Sequence, residues 1–372
     1  MNESEKVSSY QVILLLIAYR LVIAFSFLPA ANVPPGNQDM WIVVFLSIPY
    51  TVLFCFPILF LSNRFNKYTL IEYMGIIFGK HLGKIIGLIY TLILLTFSIS
   101  NVSVLAEILD STMFPSMPTI VTVIIMVITC SYISYKGLEP IARGAEIFVP
   151  FILMVIFIFP ILGMKILDFK VFLPILKDSS FKELNRGAIE IALKFGDVLI
   201  LAMIVPSLEK KEKLNNIFMK SLFYGVFMSN FVLVISQAAL GIEQTKHSNF
   251  PFFAFARLIN VFDFIQRIES IYVISWITAN IGKISGYLYF STVSLAQVLN
   301  KKDNKKYIIP MAIIVFILST LYKDRNSVVG IKNPFQKILL MITMISVIVI
   351  PSIALLVYFI RRKKIKEVNI DD

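Results

Sequence analysis

Charge is scarce in this chain. Only 16% of its 372 residues are Asp, Glu, Lys or Arg, against about a quarter in an ordinary soluble domain. With 58% hydrophobic residues arranged in long runs, the chain has no water-soluble domain of useful size. Cysteine and histidine are rarer still. Cys55 and Cys130 both fall inside apolar runs, which excludes a disulfide framework and a zinc-type spacing. His81 and His247 lie far apart without nearby ligands, so neither a metal nor another cofactor is expected. No nucleophile stands beside a base, no phosphate loop is present, and no paired carboxylates lie outside the apolar runs. An enzyme is therefore not expected. A cleavable leader also fits poorly. Lys6 is the one early cation, Glu3 and Glu5 flank it, and Arg20 interrupts the first apolar run.

What the chain does have is a succession of apolar segments. About 20 residues at 1.5 Å per helical residue cross the roughly 30 Å hydrocarbon layer. Such segments predict an all-α integral membrane protein with about ten transmembrane helices. They fall near residues 10–31, 41–62, 84–110, 117–136, 143–163, 187–206, 217–241, 268–297, 307–321 and 337–360. These make one polytopic domain over residues 1–372, with helices 1–5 in about 10–163, helices 6–10 in about 187–360, and a basic tail at 361–372.

The net charge of +12 invites a nucleic-acid reading. The cations sit instead in short loops between apolar runs, where membrane proteins carry them. One alternating set of loops holds 20 Lys and Arg and the other 12. The richer side is cytoplasmic, which places both termini inside. The tail from Arg361 to Lys366 then faces anionic membrane lipid, each cation contributing about 1 kcal/mol near the surface. Two outer connections, 164–186 and 242–267, are long enough for short surface helices. They are read as packed external loops, or else as a lid or docking surface.

Three cations, Arg20, Lys194 and Lys283, fall within the helices. A charge at mid-bilayer costs roughly 2.5–3.5 kcal/mol and persists where it meets a partner, a cavity or water. Arg20 is central in the first helix. Glu190, Lys194 and Asp197 share one face of the sixth, being four and three residues apart. Glu190 and Lys194 read as an internal pair. Gly196 weakens the helix beside Asp197, and a carboxylate binds backbone NH groups where a helix opens. Glu107 and Asp110 approach the outer end of the third helix, below Asn101. Lys283 lies near Trp276 and Asn280, with a stem long enough to snorkel. If the ten helices form two halves of five, the first and sixth are equivalent, and both carry buried charge. Transporters built from inverted repeats break such helices at the midplane and bind small ligands there.

Three stretches also carry a family resemblance. They are Pro140-Ile-Ala-Arg143-Gly-Ala-Glu146 followed by Pro150; Phe195-Gly196-Asp197 leading to Pro206; and Gln266-Arg267-Ile-Glu269 with Trp276 and Lys283 downstream. In their order and spacing the chain resembles the B subunit of GerA-type spore germinant receptors, the spore-permease branch of the amino acid–polyamine–organocation superfamily. The resemblance implies a 5+5 inverted-repeat, transporter-like fold with broken first and sixth helices in the inner spore membrane. It implies a nutrient ligand such as an amino acid, and A-type and C-type receptor subunits as partners. Phe195, Gly196 and Asp197 would line the pocket. Arg143 and Glu146 would be structural or coupling residues on the cytoplasmic side, and Arg267 and Glu269 would start the eighth helix.

One departure stands out. Where such proteins have small residues at the first-helix break, this chain has Tyr19-Arg20-Leu21 and Ala24-Phe25-Ser26, without glycine. Arg20 then meets a ligand carboxylate directly, or pairs with Asp197 or Glu107. The candidate ligand-binding set is Tyr19, Arg20, Ala24, Phe25, Ser26, Asn101, Phe195, Gly196 and Asp197. Glu107, Arg143, Glu146, Glu190, Lys194, Arg267, Glu269 and Lys283 are the coupling or structural charges. A proton- or sodium-coupled amino-acid transporter is the alternative function, with Asp197, Glu190 or Lys283 as proton carrier. An assembly subunit that has lost its ligand is the third.

Overall fold

The computed structural model describes residues 6–26, 33–113, 115–248, 250–259, 268–321 and 334–368. Its described residues are helical almost throughout. The first half holds α1 (Ser9–Ser26), α2 (Met40–Arg64), α3 (Leu70–Phe78), α4 (Lys80–Thr112), α5 (Thr119–Lys136) and α6 (Leu138–Leu162). The second holds α7 (Phe181–Ala192), α8 (Val198–Ile204), α9 (Leu214–Leu240), α10 (Ile242–His247), α11 (Pro251–Leu258) and α12 (Glu269–Val298). The chain continues through α13 (Ile308–Leu321) and α14 (Pro334–Thr343), then a π-helical turn, Met344–Val349, leading into α15 (Ile350–Val368). Among the described residues six helices are long and apolar enough to cross a membrane. The chain is an integral membrane protein.

Polarity sorts the helices into an inner and an outer group. α12 carries Ser275, Asn280, Lys283, Ser285, Ser291, Thr292 and Ser294, all buried. It can do so because its neighbours are other helices, α4, α5, α6 and α1. The outer helices show the reverse. Ile120, Ile124, Ile125 and Ile128 of α5, and Ile309, Ile313 and Ile317 of α13, are exposed. That pattern places α5 and α13 against lipid tails, where an apolar side chain costs nothing.

The one long cytoplasmic connection expected at 62–84 is partly helical. Thr69 and Glu72 form a capping box that starts α3. Gly79, at φ +87°, then turns the chain straight into α4. A Cβ on Gly83 would lie 2.5 Å from Gly75 Cα, so only glycine lets the two helices pack this closely. The connections at 164–186 and 242–267 contain short helices among their described residues, as their length suggested. Those of the second connection are not merely superficial: Phe252 and Phe255 of α11 are fully buried.

The sixth span is broken, with Leu193–Asp197 separating α7 from α8. Over its described part the first is not: α1 runs without interruption through Tyr19, Arg20 and Phe25 to Ser26. This corrects the expectation of a break there, within Ser9–Ser26. The reason is visible in the residues, because α1 contains neither Gly nor Pro.

Candidate functional site

The break in the sixth span starts with the loss of α-helical hydrogen bonding. The amides of Lys194 and Phe195 donate to Ile191 and Ala192, three residues back, at 3.0 and 3.3 Å. Those short-range bonds end α7, and Gly196 follows. The carbonyl of Asp197 accepts from Ile200 and Leu201 at 3.1 and 3.2 Å, which starts α8. Asp197 thus occupies the N-cap position of a new helix. Its side chain does not cap that helix. It turns to α1 instead.

There Arg20 Nη2 lies 2.8 Å from Asp197 Oδ2, with the two side chains 1% and 5% exposed. The other ion pairs among the described residues are local and lie on the surface: Arg143–Glu139, Arg186–Glu190 and Lys246–Glu243. Arg20 also stacks over the Phe195 ring, 5.5 Å from its centroid. Gly225 of α9 makes room for the Arg20 stem, since a Cβ there would lie 2.7 Å from Arg20 Cδ.

A second contact ties α1 to α12. Lys283 Nζ donates to the Tyr19 carbonyl at 3.1 Å. Lys283 is 5% exposed, so its ammonium turns into the bundle rather than snorkelling. The Tyr19 ring packs on Tyr287 with centroids 5.5 Å apart. Gly286 is what admits it: a Cβ there would lie 1.7 Å from the Tyr19 hydroxyl.

Beside these contacts is a cavity of about 100 Å³. Val22 and Ile23 of α1, Leu193, Lys194 and Gly196 of the break, and Lys283 and Tyr287 of α12 form one side. Phe97, Ser100, Asn101 and Val104 of α4 and Leu339, Leu340 and Thr343 of α14 form the other. Asn101 Nδ2 and Thr343 Oγ1 donate to the carbonyls four residues back, at 2.7 and 2.9 Å. Their oxygens are left as acceptors.

The sequence candidates divide accordingly. Tyr19, Arg20, Phe195, Gly196, Asp197, Lys194 and Lys283 come together, and Asn101 faces them across the cavity. Ala24 and Phe25 are buried elsewhere. Phe25 belongs to an aromatic cluster with Phe252 and Tyr272, at 5.7 and 5.2 Å between centroids. The side chain of Ser26, and Arg267, lie outside the described residues. Glu190 pairs with Arg186 Nε at 3.3 Å, one turn back, and Lys194 lines the cavity within electrostatic reach of Glu190. Glu107 is buried one turn beyond Val104 along α4. Asp110 accepts from Thr119 and Thr122 of α5. Glu146 accepts from Gln11 Nε2 at 3.2 Å and so ties α6 to α1. Arg143 reaches only Glu139, on the surface. Glu269 opens α12, where a carboxylate suits the helix N-terminus.

Five contributors had no sequence signal of function. Phe97, Tyr287 and Thr343 read as ordinary apolar-face residues. Gly225 and Gly286 differ from other helical glycines only in what packs on them.

The fold is that of a membrane transporter. A solved structure of a Na⁺-coupled sialic acid symporter, in a substrate-bound outward-open state, superposes with a TM-score of 0.66. The match covers 92% of this chain and 79% of that one, at 14% sequence identity. The chain belongs to the spore permease family, described as spore germination protein, whose profile matches residues 6–328. Similar proteins include spore germination protein YndE of Bacillus subtilis (strain 168), 24% identical over 335 residues, which are 88% of this chain and 90% of that one. Spore germination protein KB of the same organism is 21% identical, over 85% of each chain. Spore germination protein GerQB of Bacillus cereus is 23% identical, over 87% of this chain and 88% of that one.

Proposed function

We propose that the chain is the nutrient-sensing B subunit of a spore germinant receptor, binding a small molecule such as an amino acid in mid-membrane. The observation that carries this reading is the cavity at the α7/α8 break, beside the Arg20–Asp197 pair. The pair joins an intact helix to an interrupted one. A ligand that favours one arrangement of that junction shifts the population toward it, and no other kind of ligand can signal. The family membership supports a role in germination. The break at the sixth span supports a 5+5 arrangement of about ten spanning helices. On this reading the protein sits in the inner spore membrane with both termini cytoplasmic, and passes its signal to A-type and C-type subunits.

The test is dipicolinate release from spores with and without this protein, across amino acids and sugars. Loss of the response to one nutrient is the expected outcome. An unchanged response to every nutrient would overturn the reading.

A second reading, a proton- or sodium-coupled amino-acid transporter, is favoured by the fold shared with a symporter. Labelled amino-acid uptake in proteoliposomes separates the two, since a pure receptor accumulates nothing inside.

A further inference from the structure

A second and larger cavity, an open groove of about 600 Å³, runs between α2 and α9. Its walls are apolar. Val52, Phe56, Leu59 and Phe60 of α2 stand opposite Phe218 and Met219 of α9. Phe56 and Met219 are 56% and 45% exposed, so the groove opens outward, toward the lipid around a spanning helix. From Val52 to Arg64 it follows α2 for about 18 Å, at 1.5 Å per residue. One end is polar. There Asn63 Nδ2 donates to Asn215 Oδ1 at 2.7 Å and joins the end of α2 to the start of α9. Beside it Arg64 Nε donates to the Tyr358 hydroxyl of α15 at 3.1 Å. That bond uses one of the five guanidinium N–H donors and holds the fork in place. Among the described residues that line the groove, Arg64 is the one charged group. It stands in the last turn of a span, at the depth of lipid headgroups.

We propose that this groove binds one anionic phospholipid, with its phosphate on Arg64 and Asn215 and one acyl chain along Phe60, Phe56 and Val52. A guanidinium holds a phosphate through two parallel hydrogen bonds. The chain then needs an apolar channel leading away from the headgroup, which the groove supplies. A helix of another subunit fits less well. Helices approach one another in a membrane through Gly, Ala, Ser and Thr, and no such residue is among those that line the groove. The aromatic wall is braced, with Phe60 packed on Phe56 at 6.1 Å and on Tyr358 at 6.3 Å between centroids. Tyr358 thus supports both the wall and the arginine. The proposal does not depend on the receptor reading and holds for a transporter equally.

The test uses the full chain carrying Met219→Trp, in nanodiscs of phosphatidylcholine. The parent's own tryptophans, Trp41 and Trp276, set the baseline. Phosphatidylglycerol or phosphatidylcholine with brominated acyl chains is titrated in as quencher. Phosphatidylglycerol should reach half-quenching at a mole fraction about five-fold lower, the factor that one cation near a headgroup supplies. Arg64→Gln should make the two lipids equivalent. Asn215→Asp keeps the acceptor for Asn63 but sets a carboxylate against the phosphate, and should also abolish the preference. It decides the matter if Arg64→Gln fails to fold. Equal quenching by both lipids before either change would overturn the proposal, as would a preference for phosphatidylglycerol that survives them. Quenching by neither lipid would show that protein covers the groove, and would overturn it too.

Discussion

The first span and the sixth answer the same problem in opposite ways. Each carries a buried charge near its middle. α1 stays helical around Arg20, while the sixth span opens at Asp197. Charge alone therefore does not break a helix. Arg20 has a long apolar stem and reaches its partner from an intact backbone. Asp197 has one methylene, so its carboxylate stays close to its own main chain. An opened backbone there brings the carboxylate to the arginine. Gly196 supplies the weak point, being poorer in a helix than Ala by about 1 kcal/mol.

The sharpest way to break this comparison is to remove one charge of the pair. Arg20→Leu or Asp197→Leu should each destabilise the protein by about 3–5 kcal/mol, because the other charge is left buried and alone. The double variant Arg20→Leu, Asp197→Leu should recover most of that loss. Thermal unfolding in detergent measures all three, and a double variant no better than the worse single one would show that the pair is not a unit. Next in size is Gly286→Ala. Its new methyl meets the Tyr19 hydroxyl, and overpacking of this kind costs about 1–3 kcal/mol. Adding Tyr19→Phe should relieve part of the strain, which the same melting assay reads.

Gly196→Ala tests the weak point itself. A Cβ there would lie 3.4 Å from Thr343 Cγ2, an ordinary contact. The variant should be as stable as the parent or slightly more so, by up to about 1 kcal/mol, while germination responds to higher nutrient concentrations. Equal sensitivity would show that opening at Gly196 does not matter. Arg143→Ala is the control for charges outside the junction. Its pair with Glu139 is 66% and 43% exposed, and surface pairs of this kind contribute about 0–1 kcal/mol, so melting should barely move.

The smallest effect belongs to the start of α7. The Ser180 hydroxyl and amide both donate to Glu183, at 2.7 and 3.0 Å, and hold its carboxyl below the ordinary value. A lowered value in the folded state means that this contribution is present above about pH 4.3, the unfolded value, and fades as pH falls through the folded one. Protection factors over 181–192, the exchange rates corrected for intrinsic exchange at each pH, should therefore fall slightly on acidification in the parent, and Ser180→Ala should remove most of that pH dependence.

Much of this was legible in the residues. Apolar runs placed most of the spans, and the Phe-Gly-Asp run placed the break. The unusual cations Arg20, Lys194 and Lys283 all proved to lie at one junction. Depth in the membrane is readable from sequence because it follows from position along a helix. Azimuth between helices is not. Arg20 had Asp197 and Glu107 as equal candidates, and only packing turned it to the first. For the same reason Phe25 read as a pocket residue, although it faces α11 and Tyr272. The contribution of α14 was hidden because nothing in Leu339, Leu340 or Thr343 distinguishes a cavity wall from a lipid face. The first-helix break was an expectation borrowed from resemblance, and within Ser9–Ser26 the missing glycine was the better guide.

One modest contact near the N-terminus gives the junction a mechanical character. Val7 pairs with the chain just after α8, its amide on the Ser207 carbonyl at 2.9 Å and its carbonyl on the Glu209 amide at 3.2 Å. Together with Arg20–Asp197, this pins α1 to α8 at both ends of the shorter helix. Two pins remove sliding and leave rotation about the line between them. α8 and the first half of α1 then behave as one lever, with the cavity at one end and the N-terminal segment at the other. Such a lever would carry a disturbance at the cavity to the opposite end without either helix having to bend.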